Sequence, residues 1–160
     1  MESIPAAGLG WPIKASFARY VGGLVDGRID LIGPVSASRD CGLIFRLEDS
    51  SAFDISTESG VIKFGGAVQF QGHFGMLRVV IADPWLSVDG SLGTLSIATG
   101  PDKRVKLAAC RVSWDETGYV ARGTELMLNA GGVALFGDGY EEGSYLDPFL
   151  LRLESGAEAS

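Results

Sequence analysis

The feature that most limits this chain is its punctuation: short apolar runs, closed by Gly, Asp, Ser or Pro about every ten residues. Such spacing leaves no room for a helical bundle. Glycine supplies 23 of the 160 residues, which suits tight turns between short strands. Apolar residues make up 46% and charged residues 21%, enough for a packed core and too apolar for wholesale disorder. The length suits one domain. The expectation is an all-β fold, an antiparallel two-sheet sandwich or flattened barrel of about ten strands. The domain is expected over residues 9–153, with 1–8 and 154–160 as flexible ends.

The expected strands are 28–32, 43–47, 52–55, 61–71, 77–82, 85–88, 94–98, 105–112, 124–128 and 149–153. In the longest, Gly65-Gly66 marks a bulge or sharp bend. Two segments break the pattern. Ile13, Phe17, Tyr20, Val21 and Leu24 recur with helical period, with Pro12 at the expected first helical position and Gly22-Gly23 as a stop. A short helical turn is expected over Ala130–Phe136.

Twenty acidic against 13 basic residues give a formal net charge of −7. Nucleic-acid binding needs clustered cations, so that balance argues against it, and anionic membrane surfaces are disfavoured likewise. No run nears the roughly 18 consecutive apolar residues of a membrane span. The opening MESIPAAGLGW has neither a basic nor an apolar leader region, so a cytoplasmic protein is expected. The alternative is a trimmed form of a secreted one. Cys41 and Cys110 lie in apolar surroundings without CxxC spacing and are expected as buried thiols. His73 is the sole histidine, which removes multi-His zinc sites.

Patterns for catalysis are weak. There is no GxSxG elbow, no GxxxxGK[ST] loop and no GxGxxG after a strand. Asp138 with Glu141 and Glu142, or Asp83 with Asp89, are the only acid–base pairings to weigh. Carboxylates beside turn glycines are usually solvated turn formers. Tyr20 on the helix face is by itself a packing residue whose ring Phe17 and Leu24 would bury. His73, framed by Gly72 and Gly75, and Tyr140, in a Gly-rich loop, are open to either a structural or a binding role.

Three segments carry a resemblance. Gly10-Trp11-Pro12-Ile13-Lys14-Ala15-Ser16-Phe17-Ala18-Arg19-Tyr20-Val21 resembles the W-x-(I/V)-K-x-S-F-x-x-Y-(V/I) opening of the HtaA domain. Val68-Gln69-Phe70-Gln71-Gly72-His73-Phe74-Gly75-Met76-Leu77-Arg78-Val79 is similar to that family's V-x-F-x-G-H-x-G-x-L strand pair, and Ala82-Asp83-Pro84 to its strand corner. Phe136-Gly137, Tyr140, Gly143 and Asp147-Pro148 fall in step with its closing segment. The resemblance implies a heme-binding domain with an all-β fold and a flanking helix. By motif it implies Tyr20 as the axial ligand of ferric heme b, His73 as its hydrogen-bond partner, and Tyr140 as the family's later tyrosine.

The chemistry agrees with that assignment. Ferric iron is a hard acid and phenolate a hard anionic donor. Free phenol titrates near pH 10, so ligation needs the metal and a nearby donor such as an imidazole N–H. Reduction or acidification is then expected to loosen the heme, as suits a carrier. Phe17, Phe74 and Leu77 are expected against the porphyrin, and Ser16 and Lys14 near its propionates. The implied partners are heme and another heme carrier or acceptor protein, with a homodimer as one arrangement. Two alternatives stand beside this: a heme-dependent peroxidase or catalase-like enzyme, and a heme-free interaction domain.

Overall fold

In the computed structural model, residues 6–137 and 140–154 are described. The expected ends 1–8 and 154–160 fall largely elsewhere, since 1–5 and 155–160 lie outside the described residues. The strands are β1 (Gly8–Gly10), β2 (Arg28–Ile32), β3 (Val35–Ser38), β4 (Gly42–Asp49), β5 (Phe53–Asp54), β6 (Ser59–Gly65) and β7 (Ala67–Gly72). They continue as β8 (Leu77–Ala82), β9 (Trp85–Asp89), β10 (Leu92–Gly100), β11 (Lys103–Trp114), β12 (Val120–Leu128), β13 (Tyr145–Leu146) and β14 (Phe149–Arg152). Helices α1 (Ala15–Gly22) and α2 (Ala130–Phe136) and a tight helical turn at His73–Gly75 complete the list.

Pairing runs β4–β1–β14–β12–β11–β10–β9–β6 and closes from β6 back to β4, an antiparallel barrel of eight strands. Closure removes the free edges that an open sheet would expose. β3, β5 and β13 pair on its outside margins with β4, β6 and β12. The architecture is therefore the barrel of the two expected. Its extra strands arise where 61–71 divides in two and where β1, β3 and β13 form from segments without a strand pattern. β1 lies between β4 and β14, and its Leu9 is fully buried.

The division of 61–71 positions the site. Gly66 has φ +109, and a Cβ there would come within 2.8 Å of Val35 Cβ. The chain turns out of the barrel at this corner, and β7 joins β2 and β8 in a separate three-stranded sheet, order β2–β7–β8. It returns at Asp83, where the two corners are latched. Asp83 N–H donates to Gly66 O at 2.8 Å, and Gly66 N–H donates to Asp83 Oδ1 at 3.1 Å. One continuous apolar core links both parts, from Phe45, Ile62, Leu86 and Leu95 to Val68, Phe70, Val79 and Ile81. Among the described residues no polar or charged residue is buried. Cys41 and Cys110 are both buried thiols.

α1 starts three residues later than Pro12 indicates. Trp11 N–H donates to Leu43 O at 2.8 Å, which holds this stretch extended beside β4, and Ile13 has φ 67. Lys14 is the N-cap residue, but its side chain caps nothing. Asp147 does that work from the far end of the chain. Its Oδ2 accepts Ala15 N–H at 2.8 Å, its carbonyl accepts Trp11 Nε1–H at 2.9 Å, and its own N–H donates to Ile13 O at 2.9 Å. A carboxylate at this end satisfies an orphan donor and complements the positive pole of the helix.

Candidate functional site

Two aromatic rings of α1 lie on adjoining faces. Phe17 is buried at the centre of an aromatic group, edge-on to Phe70 (5.1 Å), Phe136 (5.3 Å) and Tyr140 (6.2 Å between ring centres). Tyr20 is 51% exposed, which corrects the expectation that Phe17 and Leu24 bury its ring. It sits about 60° round the helix from Phe17, at the border of the packed face.

Opposite α1, β7 ends at Gly72. A Cβ on Gly72 would lie 2.5 Å from Leu24 Cδ1, so the strand end packs closely against the Leu24 side chain just beyond α1. The turn that follows carries His73 to the helix. Tyr20 Oη and His73 Nε2 stand 2.5 Å apart although 53 positions separate them in the chain. One proton serves this pair. Either the phenol O–H donates to an unprotonated Nε2, or an Nε2–H donates to the phenol or phenolate oxygen.

Both rings line a cavity of about 930 Å³, whose other walls are Phe17, Met76, Leu77, Phe136, Gly137 and Tyr140. Apart from the Tyr20–His73 pair and the Tyr140 hydroxyl, those side chains are apolar. Burial pushes the Tyr140 phenol above its ordinary value, so Tyr140 remains a neutral hydroxyl. The arrangement can hold a flat apolar ligand against aromatic walls, with the Tyr20 phenol oxygen offered at the side. No group of three or more His, Cys, Asp or Glu able to hold a metal ion occurs among the described residues.

The family model HtaA, described as Htaa, matches residues 6–152. The chain belongs to the HtaA family. Among solved structures, the C-terminal domain of HtaA from Corynebacterium glutamicum is similar with a TM-score of 0.76 at 27% identity, covering 93% of this chain and 97% of that one. A variant of that domain, a domain-swapped dimer, is similar with a TM-score of 0.66 at 26% identity, covering 96% and 99%. The heme binding protein HtaB from the same organism shares the fold, with a TM-score of 0.72 at 21% identity over 93% and 92% of the two chains. A comparison with curated protein sequences gives no match.

In this HtaA-family domain the cavity gathers Phe17 and Tyr20 from α1, His73 from the turn after β7, Leu77 from β8 and Tyr140 from the segment beyond α2. Three other expected residues stay apart from it. Phe74 is 86% exposed, because the left-handed turn at His73 and Phe74 sends its ring into solvent. Ser16 is exposed on the first turn of α1, and the Lys14 ammonium donates to Tyr145 O at 2.8 Å. Sequence reasoning missed Met76 and Phe136 as walls. Phe136 had a signal in the apolar end of α2, while Met76 had none beyond its place after the His73 turn. Of the carboxylate pairs, Asp83 serves the Gly66 corner and Asp89 ends β9 in an exposed position. Glu141 and Glu142 are exposed, and Asp138 lies outside the described residues.

Proposed function

We propose that this protein binds heme as cargo, with the Tyr20 phenolate as the axial ligand of ferric iron and His73 donating its Nε2–H to that oxygen. The observation that carries this is the 2.5 Å contact between Tyr20 Oη and His73 Nε2 on the wall of an apolar cavity. The cavity, at about 930 Å³, is within the range of pockets that take small ligands and cofactors. Its aromatic walls suit the faces of a macrocycle, and aromatic packing favours flat apolar guests. A lone phenolate cannot hold free iron against water, but it suffices for iron that brings four ring nitrogens with it. Family membership and the heme-binding relative HtaB agree with this reading.

Bound heme would supply the Lewis acid that keeps Tyr20 ionised at neutral pH. This chain's own residues do the remainder. Phe17, Leu77 and Phe136 exclude water from the apolar faces, and the neutral Tyr140 hydroxyl leaves the anionic role to Tyr20. The reading is a carrier rather than an enzyme: the one imidazole is committed to Tyr20, so none remains as a distal base for peroxide chemistry. A carrier implies exchange with a second heme protein.

Hemin titration followed by absorption tests the proposal. His73→Ala should still bind, about 10- to 100-fold more weakly and with a shifted spectrum, since the ligand survives without its partner. Tyr20→Phe should lose the wild-type spectrum. A Tyr20→Phe protein with unchanged spectrum and affinity would falsify the ligand assignment.

A further inference from the structure

The turn that bears His73 has costly backbone geometry. His73, Phe74 and Gly75 all lie at positive φ, 51°, 55° and 92°. For the two residues with side chains this region is unfavourable by about 1 kcal/mol or more each. Packing does not enforce it, since His73, Phe74 and Met76 are all exposed. Within the turn one bond closes the backbone, from Met76 N–H to His73 O at 3.1 Å. A second bond comes from outside: Asp26 Oδ2 accepts Phe74 N–H at 2.6 Å.

Asp26 lies in the connection between α1 and β2, four residues beyond the end of the helix that carries Tyr20. Its carboxylate therefore ties the support of His73 to the support of Tyr20. A charged acceptor makes this bond stronger than one between neutral groups. We propose that Asp26 is a positioning residue, holding the turn in its left-handed form so that His73 Nε2 meets Tyr20 Oη. Asp26 touches neither the phenol nor the cavity and acts through His73. The proposal rests on the reading of Tyr20 and His73 as the heme-holding pair.

The experiment compares Asp26→Ala, Asp26→Asn and His73→Ala, with the double variant Asp26→Ala/His73→Ala. His73 is the sole histidine, so its ring ¹⁵N signals in labelled, hemin-free protein are unambiguous. Asp26→Ala should move those signals toward those of a histidine whose Nε2 has no protein partner and weaken hemin binding about tenfold. Asp26→Asn, whose amide oxygen accepts the same N–H, should recover most of the loss. In the His73→Ala background Asp26→Ala should cost nothing further. Equal losses in both backgrounds, or wild-type ring signals in Asp26→Ala, would overturn the proposal. If Tyr20→Phe leaves hemin binding intact, the heme reading fails by itself. The ring signals of hemin-free Asp26→Ala then decide the positioning claim alone.

Discussion

The barrel and the small sheet that leaves its rim are built from the same kinds of residue but are held differently. Every strand of the eight-strand ring has a hydrogen-bonded neighbour on both sides, and Phe45, Ile62, Leu86 and Leu95 are fully buried. In the small sheet β2 is an edge strand, paired among the described residues with β7 alone, and Ile29, Leu31 and Ile32 remain 40–50% exposed. At its tip, Phe74 and Met76 are 86% and 88% exposed, and the backbone of the His73 turn is held by the Met76 N–H to His73 O and Phe74 N–H to Asp26 Oδ2 hydrogen bonds. The buried ring and the proposed ligand site thus belong to different regions. The ring supplies continuous burial, and the rim supplies an exposed polar pair.

That division can be broken first at its strongest point. Phe45→Ala in the ring should cost about 3–5 kcal/mol in denaturant unfolding, while the fraction still folded binds hemin with the wild-type spectrum. A changed spectrum would show that ring and rim are coupled. Cys110 probes the same interior chemically. Burial pushes its thiol up to about 12 from an ordinary value of 9.0. Thiolate is the reactive form, so labelling of native protein at pH 8 should be about 1,000-fold slower than for an exposed thiol. The same shift fixes a sign for stability. The unfolded chain ionises this thiol above about pH 9 and the folded one does not, so stability falls as pH rises from 9 toward 12.

At the rim the expected pattern reverses. Tyr20→Phe should weaken hemin binding by about 100-fold, about 2.7 kcal/mol, with little change in unfolding midpoint because the ring is half exposed. Reduction of the bound iron should release hemin from wild type more readily than from a His-ligated protein, since ferrous iron holds phenolate weakly. Asp147→Ala sits between the two regions. It removes the cap of α1 and should cost about 1–2 kcal/mol of stability together with a modest loss of affinity. The smallest effect is expected at the Arg28–Asp30 pair on β2, whose side chains are 67% and 36% exposed. Asp30→Asn should change stability by less than about 0.5 kcal/mol and leave hemin binding untouched.

How far the chain could be read in advance varied from element to element. β2 and β8 occupy the expected residues, and β10 and β11 enclose theirs, because turn residues and apolar runs act locally. The bend at Gly65-Gly66 was legible too, as glycine marks the place where a strand changes sheets. β1, β3 and β13 were not. They are two to four residues long and exist because partner strands offer hydrogen bonds, a condition no local pattern records. The start of α1 was misplaced for the same reason: Leu43 and Asp147 hold Trp11–Ile13, and both are distant in sequence.

By itself the amino-acid order determined the β class, the two helical segments and, through family motifs, the names of Tyr20 and His73. Periodicity and turn chemistry are short-range, so they can be read from neighbours along the chain. What only the tertiary structure decided is the meeting of those two rings, the walls Met76 and Phe136, and the carboxylate of Asp26 beneath the His73 turn. The His73 side of the site depends on the corner at Gly66 that sends β7 out of the barrel, and Phe136 on the packing of α2 over β11 and β12, contacts between segments that share no local signal.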